Sequence, residues 1–204
     1  MEKIIHKNTI FAGLSLFSVL FAILVLVGIV SLPNFAEAED VTVSATIDEW
    51  ISFSVDDTTL DLGTLVNSSG ALTLGAASTS LTLGSNSADG FSVSVSGTNA
   101  GLKNGTAHTI ATPAAGATTT CDISGDGTDA YGLQATSTTM TAQDIYNYGS
   151  NIVGSVAVSS QKVLSVGASA VSNSAILTVR ASANKYDANG SYTDTLVVTA
   201  AANP

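Results

Sequence analysis

Two patterns of apolar residues divide the chain. From Ile10 to Val30 they run almost unbroken, interrupted only by Ser15, Ser18 and two glycines. Beyond residue 40 they alternate with Ser and Thr. Val41, Val43, Ala45 and Ile47 fall on one face of an extended segment, and Thr42, Ser44 and Thr46 on the other. Ile51, Phe53 and Val55 repeat the pattern, as do Phe91, Val93 and Val95. Period two with β-branched residues is the signature of a half-buried strand.

The same test predicts strands at Leu60–Leu62, Leu72–Leu74, Leu81–Leu83, Tyr131–Thr136, Ile152–Val158, Lys162–Val166, Ala175–Ala183 and Tyr192–Ala200. Asp89-Gly90, Asn104-Gly105 and Asn189-Gly190 fall between them, at turns that call for positive φ. One helical turn is expected within Thr141–Tyr148, with Thr141 as its cap. Residues 97–130 read as a long loop or a poorly patterned hairpin. Short strands at intervals of about 8–12 residues predict an all-β fold, a sandwich or a barrel.

The first 38 residues stand apart from this domain. Lys3 and Lys7 precede the apolar run, Pro33 ends any helix, and Ala36-Glu37-Ala38 places small residues at −3 and −1 of a cleavage site. Residues 1–38 are expected to be a signal peptide, with Ala36 and Ala38 marking its cleavage, and residues 39–204 a single exported domain. The run is also long enough to cross a hydrocarbon core of about 30 Å. The alternative is therefore an uncleaved anchor, touching membrane only through residues 10–30. Either reading sends residues 39–204 to the cell exterior.

Charge narrows the function. Residues 39–204 carry four basic residues (Lys103, Lys162, Arg180, Lys185) against 14 acidic ones. That balance excludes nucleic acid, which requires clustered Lys and Arg. A single cysteine, Cys121, allows no intramolecular disulfide. Only His108 remains as a histidine beyond the leader, so His-based catalytic and metal sets have one member at most. No enzyme is expected.

Three stretches carry a family resemblance. Thr46-Ile47-Asp48-Glu49-Trp50-Ile51-Ser52-Phe53-Ser54, followed by Leu60-Asp61-Leu62-Gly63-Thr64-Leu65, resembles an opening strand and its "LxFGtl" element. Asn86 to Val95 resembles the strand that follows. Asn189-Gly190-Ser191-Tyr192-Thr193-Asp194-Thr195-Leu196-Val197-Val198-Thr199 resembles a closing "aGtYtDtltvt" strand. These are motifs of bacterial cell-surface β-sandwich proteins of the spore coat protein U and fimbrial-type group and, more distantly, of WxL-type surface domains. The resemblance implies an antiparallel β-sandwich, Ig-like or fimbrial-like, and a structural or adhesive role outside the cell, sometimes through fibre assembly.

The remaining candidate chemistry is sparse. Asp122, Asp126 and Asp129, interleaved with glycines, could supply oxygen ligands to Ca²⁺; the alternative is a surface loop of Asx turns. No other cofactor is expected. Cys121 beside Asp122 reads as an inert thiol. Arg180 is expected to pair across strands with Asp194 or Asp187. Lys162 or Lys185 could form an isopeptide bond with an Asn. Tyr131, Tyr146 and Tyr148, if exposed in one groove, would make a carbohydrate-binding or adhesion module the alternative function. The alternating strand Val41, Val43, Ala45, Ile47 is the assembly candidate: it either completes its own sandwich or adds to a neighbour's edge. The expected partners are further copies of the chain or other surface proteins.

Overall fold

The computed structural model of the protein describes residues 42–68, 71–105, 108–113, 120–124 and 129–203. The chain divides into two units, Met1–Thr46 and Ile47–Pro204. Of the first unit, residues 42–46 are described; they form no strand and their side chains are exposed.

The second unit is all-β, with strands β1 (Ile51–Val55), β2 (Val66–Ser68), β3 (Ala71–Thr73), β4 (Gly75–Ser85), β5 (Phe91–Gly97), β6 (Gly101–Asn104) and β7 (His108–Ala111). Then come β8 (Thr120–Asp122), β9 (Ala130–Ser137), β10 (Thr141–Ala142), β11 (Ile152–Gly154), β12 (Gln161–Val166), β13 (Ala170–Ser182) and β14 (Leu196–Ala202). One sheet has the order β1-β4-β13-β9-β11-β8 and a second β10-β12-β5-β14; β2-β3 and β6-β7 are separate hairpins. All the pairings are antiparallel.

The alternation read from the sequence sets the faces. On β4, Thr79, Leu81 and Leu83 are buried while Ser78, Ser80 and Thr82 are exposed. On β13, Ala175, Leu177 and Val179 are buried between more exposed neighbours, and Ala181 is buried beside them. These side chains share one core with Val93 and Val95 of β5, Leu133 and Ala135 of β9 and Val163 and Leu164 of β12. The two main sheets therefore enclose a single apolar interior, a sandwich-like arrangement. Burying one such Leu or Val contributes roughly 1.5–3 kcal/mol.

Seven strands have five or more residues. Numbered along the chain, they run 1-2-6-4 in one sheet and 5-3-7 in the other. The immunoglobulin constant-type order would be 1-2-5-4 and 3-6-7. Relative to that order the fifth and sixth strands have changed sheets, and in the second sheet the third strand is central.

Several expectations are corrected. Leu60–Leu62 is no strand; Leu60, Leu62 and Leu65 instead pack from a loop onto the core. Of Val41–Ile47, residue 41 lies outside the described residues and 42–47 join no sheet. Ile152–Val158 shortens to β11, because Tyr146 and the chain after Gly154 turn into the core. The helical turn is a 3₁₀ turn over Asp144–Tyr146 preceded by Gln143, whose side chain makes no cap, while Thr141 belongs to β10. Asp89-Gly90 lies between two strands with positive φ at the glycine, as expected, and the strands it joins belong to different sheets. Gly90 has φ +76°, and a Cβ there would lie 2.0 Å from the Val166 carbonyl oxygen, so only glycine fits this crossover.

Candidate functional site

Each sheet has two edges, and they differ in kind. β8 and β10, at three and two residues, are short. β1 and β14 have five and seven residues, Ile-Ser-Phe-Ser-Val and Leu-Val-Val-Thr-Ala-Ala-Ala, with neither charge nor proline. An edge of that length without Lys, Pro or a bulge presents free backbone N–H and C=O groups to another strand.

The interior is incompletely covered along these two edges. Ile51, Phe53 and Val55 stand opposite Ser85, Leu83 and Leu81, so they face inward with them. Ile51 and Phe53 nevertheless keep 40% and 36% exposure. On β14 the inward set Leu196, Val198, Ala200 and Ala202 is half-buried along its length. Near Val55 and Leu196 a cavity of about 1120 Å³ opens beneath the loops 57–65 and 184–195; Leu62, Leu65, Leu102, Tyr131, Tyr192 and Leu196 help line it.

A carboxylate fixes the start of β14. Asp194 Oδ1 accepts hydrogen bonds from Thr98 Oγ1 (3.1 Å), Asn99 N (3.0 Å) and Thr195 N (2.8 Å). This ties the turn after β5 to the entry of β14. Asp194 Oδ2 is buried without an aligned partner. The Tyr131 hydroxyl neighbours this carboxylate; burial first, and then Asp194, push the phenol far above its ordinary value.

At the other end of β1, Asn86 holds the chain that leads into it. Trp50 N donates to Asn86 Oδ1 (2.7 Å), Asn86 Nδ2 donates to the Asp48 carbonyl (2.8 Å), and Asn86 N donates to the Trp50 carbonyl (3.3 Å). Beyond this clamp Ile47 is 87% exposed, and Val43 is 88% exposed. Among the described residues, Val43 and Ile47 thus have no cover of their own. Ala45 is exposed as well.

The other predicted residues are dispersed. Asp122 accepts from Ser124 N (2.9 Å) and Ser124 Oγ (2.6 Å), an Asx turn that draws its carboxyl below the usual range. Asp126 lies outside the described residues, and among those described no cluster of His, Cys, Asp and Glu is arranged to hold a metal. Cys121, on β8, is half-buried; burial, then Asp122 and Asp129, push its thiol up. His108 is exposed on β7, opposite Asn104. Lys103, Lys162 and Lys185 are all exposed, so none has the buried amine an isopeptide bond requires. Ala36, Ala38, Val41 and the run 10–30 lie outside the described residues.

Two side-chain expectations are overturned. Arg180 bonds neither Asp194 nor Asp187. It points to the outer face, where its Nε donates to Gln134 Oε1 at 2.8 Å, while Gln134 Nε2 donates to the Ile152 carbonyl at 2.7 Å. Tyr131 and Tyr146 are 2% and 1% exposed, whereas Tyr148 is 43% exposed, so the three make no stacking groove. Sequence reasoning missed the roles of Asn86 and Asp194. Asn86 opens the run Asn86–Val95 and Asp194 lies within Asn189–Thr199, but nothing in the spacing tells which turn each one ties. No protein-family model, curated protein or solved structure matches this chain.

Proposed function

We propose that the protein is an exported bacterial surface component, fimbrial-like in architecture, whose copies join into fibres by β-strand addition. The segment Val41–Ile47 of one copy adds to the free edge of β14 in the next, placing Val41, Val43, Ala45 and Ile47 over the uncovered interior beside β1. The observation that carries this reading is the match between two unsatisfied partners. One is an uncharged seven-residue edge with a half-buried inner face. The other is an alternating segment, described from residue 42, that joins no sheet and leaves Val43 and Ile47 almost fully exposed. Main-chain hydrogen bonds would supply affinity, and alternate apolar side chains register. The leader-like first 38 residues support export, and the acidic balance keeps unassembled copies apart at low salt.

The test is capture of a synthetic peptide spanning residues 39–50 by protein lacking residues 39–47. Saturable binding is expected, weakened at least tenfold when Val43→Asp and Ile47→Asp are introduced into the peptide. Equal binding by the doubly substituted peptide, or no binding by either, would defeat the reading.

A further inference from the structure

Among the described residues, three glycines follow an Asp or Asn: Asp89-Gly90, Asn104-Gly105 and Asn189-Gly190. Such a pair carries a chemistry of its own. The glycine nitrogen can attack the carbonyl carbon of the preceding side chain, because glycine has no Cβ to hinder the approach. The three pairs are alike in sequence, and the fold treats them differently. Gly90 N donates to the Ser87 carbonyl (3.1 Å), and the Asp89 carbonyl accepts from Asn203 Nδ2 (2.9 Å), so the first pair is held on both sides. Asn104 ends β6, where it is paired with His108, and its Nδ2 donates to the Asn189 carbonyl at 3.2 Å. In the third pair nucleophile and target are both free. Among the described residues no hydrogen bond involves Gly190 N or the Asn189 side chain, and both residues are exposed and outside any strand.

The fold also keeps a glycine at this position. Gly190 has φ +145°, a conformation that side-chain-bearing residues rarely adopt, and a Cβ there would displace Asn104 Nδ2. The turn around it is tied on both sides. Tyr192 Oη donates to the Ala188 carbonyl at 2.8 Å, and Lys103 and Thr193 exchange two backbone hydrogen bonds, each 2.9 Å. Asp194, which fixes the start of β14, comes next. A reactive pair is thus left unguarded in a short, closed turn at the entry to an edge strand.

We infer that Asn189 is a site of spontaneous covalent modification, and that the fold selects it over Asn104. Gly190 N attacks Asn189 Cγ, forming a five-membered succinimide. The Cγ–Nδ2 bond breaks, and the amide nitrogen leaves as ammonia, taking up the proton that Gly190 N gives to solvent. Water then opens the ring at either carbonyl carbon. One product is aspartate; the other is isoaspartate, whose main chain runs through the former side chain and is one methylene longer. Either product adds a negative charge to the loop that enters β14. The longer main chain has no room between the Tyr192–Ala188 and Lys103–Thr193 ties, so the Asn104–Asn189 contact is the one released. An asparagine held by its hydrogen bonds reacts only from a locally opened state, so Asn104 is slowed by its opening free energy. The reaction needs only the fold and water, and it stands apart from the strand-addition reading.

The full protein is incubated in mildly alkaline buffer, folded and, in parallel, unfolded in denaturant. Samples are digested at intervals. Peptide mass spectrometry follows succinimide and acid formation at each site, and an isoaspartyl methyltransferase counts the isoaspartate. In the folded protein Asn189 is expected to react at least fivefold faster than Asn104. In denaturant the two rates should converge, since both residues precede glycine. Asn189→Gln, whose longer side chain closes a ring far more slowly, should remove the early isoaspartate from the folded protein. Equal rates at the two sites in the folded protein, faster reaction at Asn104, or an Asn189 that stays intact when folded while it reacts in denaturant, would overturn the proposal. So would early isoaspartate that persists in Asn189→Gln.

Discussion

Leu81 and Leu83 on β4 stand directly opposite Val55 and Phe53 on β1, on the same inner face of the same sheet. The two leucines are 0% and 1% exposed; Phe53 is 36% exposed. The second sheet repeats the contrast. Val93 of β5 is fully buried, while its partner on β14, Ala200, is only half so. The side chains obey one rule of alternation and have two fates. What differs is position in the sheet: a central strand has neighbours on both sides, and an edge strand depends on whatever covers it. Along β1 and β14 the cover is partial. Alternation therefore assigns the face, and strand order assigns the burial.

The largest effect should come from the closed side. Leu133→Ala, at a site with 0% exposure, is expected to cost about 2–5 kcal/mol in denaturant unfolding. Phe53→Ala removes a larger side chain from the open side, where it is 36% exposed, and should cost clearly less than Leu133→Ala. Equal costs would erase the distinction between the two regions. Next comes the tie at the margin. Asp194→Ala leaves Asn99 N and Thr195 N without their acceptor and should cost about 1–3 kcal/mol. It should also increase hydrogen exchange of β14 more than of β13.

A pH series sharpens the comparison from the buried side. The pKa of Tyr131 is raised in the folded protein above its ordinary value near 10. The unfolded chain releases that proton first, so stability is level below about pH 10 and falls as pH rises beyond it. Tyr131→Phe should flatten that alkaline fall; an unchanged slope between pH 10 and 11.5 would contradict the assignment. The smallest effect is expected on the outer face. Arg180→Met deletes its bond to Gln134 and should cost about 1 kcal/mol.

Much of this division was legible in the residues. The period-two runs at Phe91–Val95 and Ala175–Ala183 marked strands whose apolar faces are indeed buried. Asn104-Gly105 marked a hairpin turn that forms, with Gly105 at φ +60°. The same period failed at Val43–Ile47 and Leu60–Leu62, because alternation is a local property and pairing needs an available neighbour. Arg180 was misassigned for a related reason. Its nearest carboxylates in the chain, Asp187 and Asp194, lie beyond the end of β13, while the partner across the ladder is Gln134, opposite Thr178 and so diagonal to it. The open margin itself could not be read from a one-dimensional pattern, since Ile51, Phe53 and Val55 look like any other core strand.

The central claim is that this open margin joins one copy to the next. It is tested most directly by light scattering and negative-stain microscopy across a concentration series, on protein beginning at residue 39 and on protein lacking residues 39–47. Ordered oligomers or fibres that grow with concentration are predicted for the first, and a monomer with an unchanged unfolding midpoint for the second. A first form that stays monomeric throughout, or a shortened form that assembles to the same extent, would contradict the account.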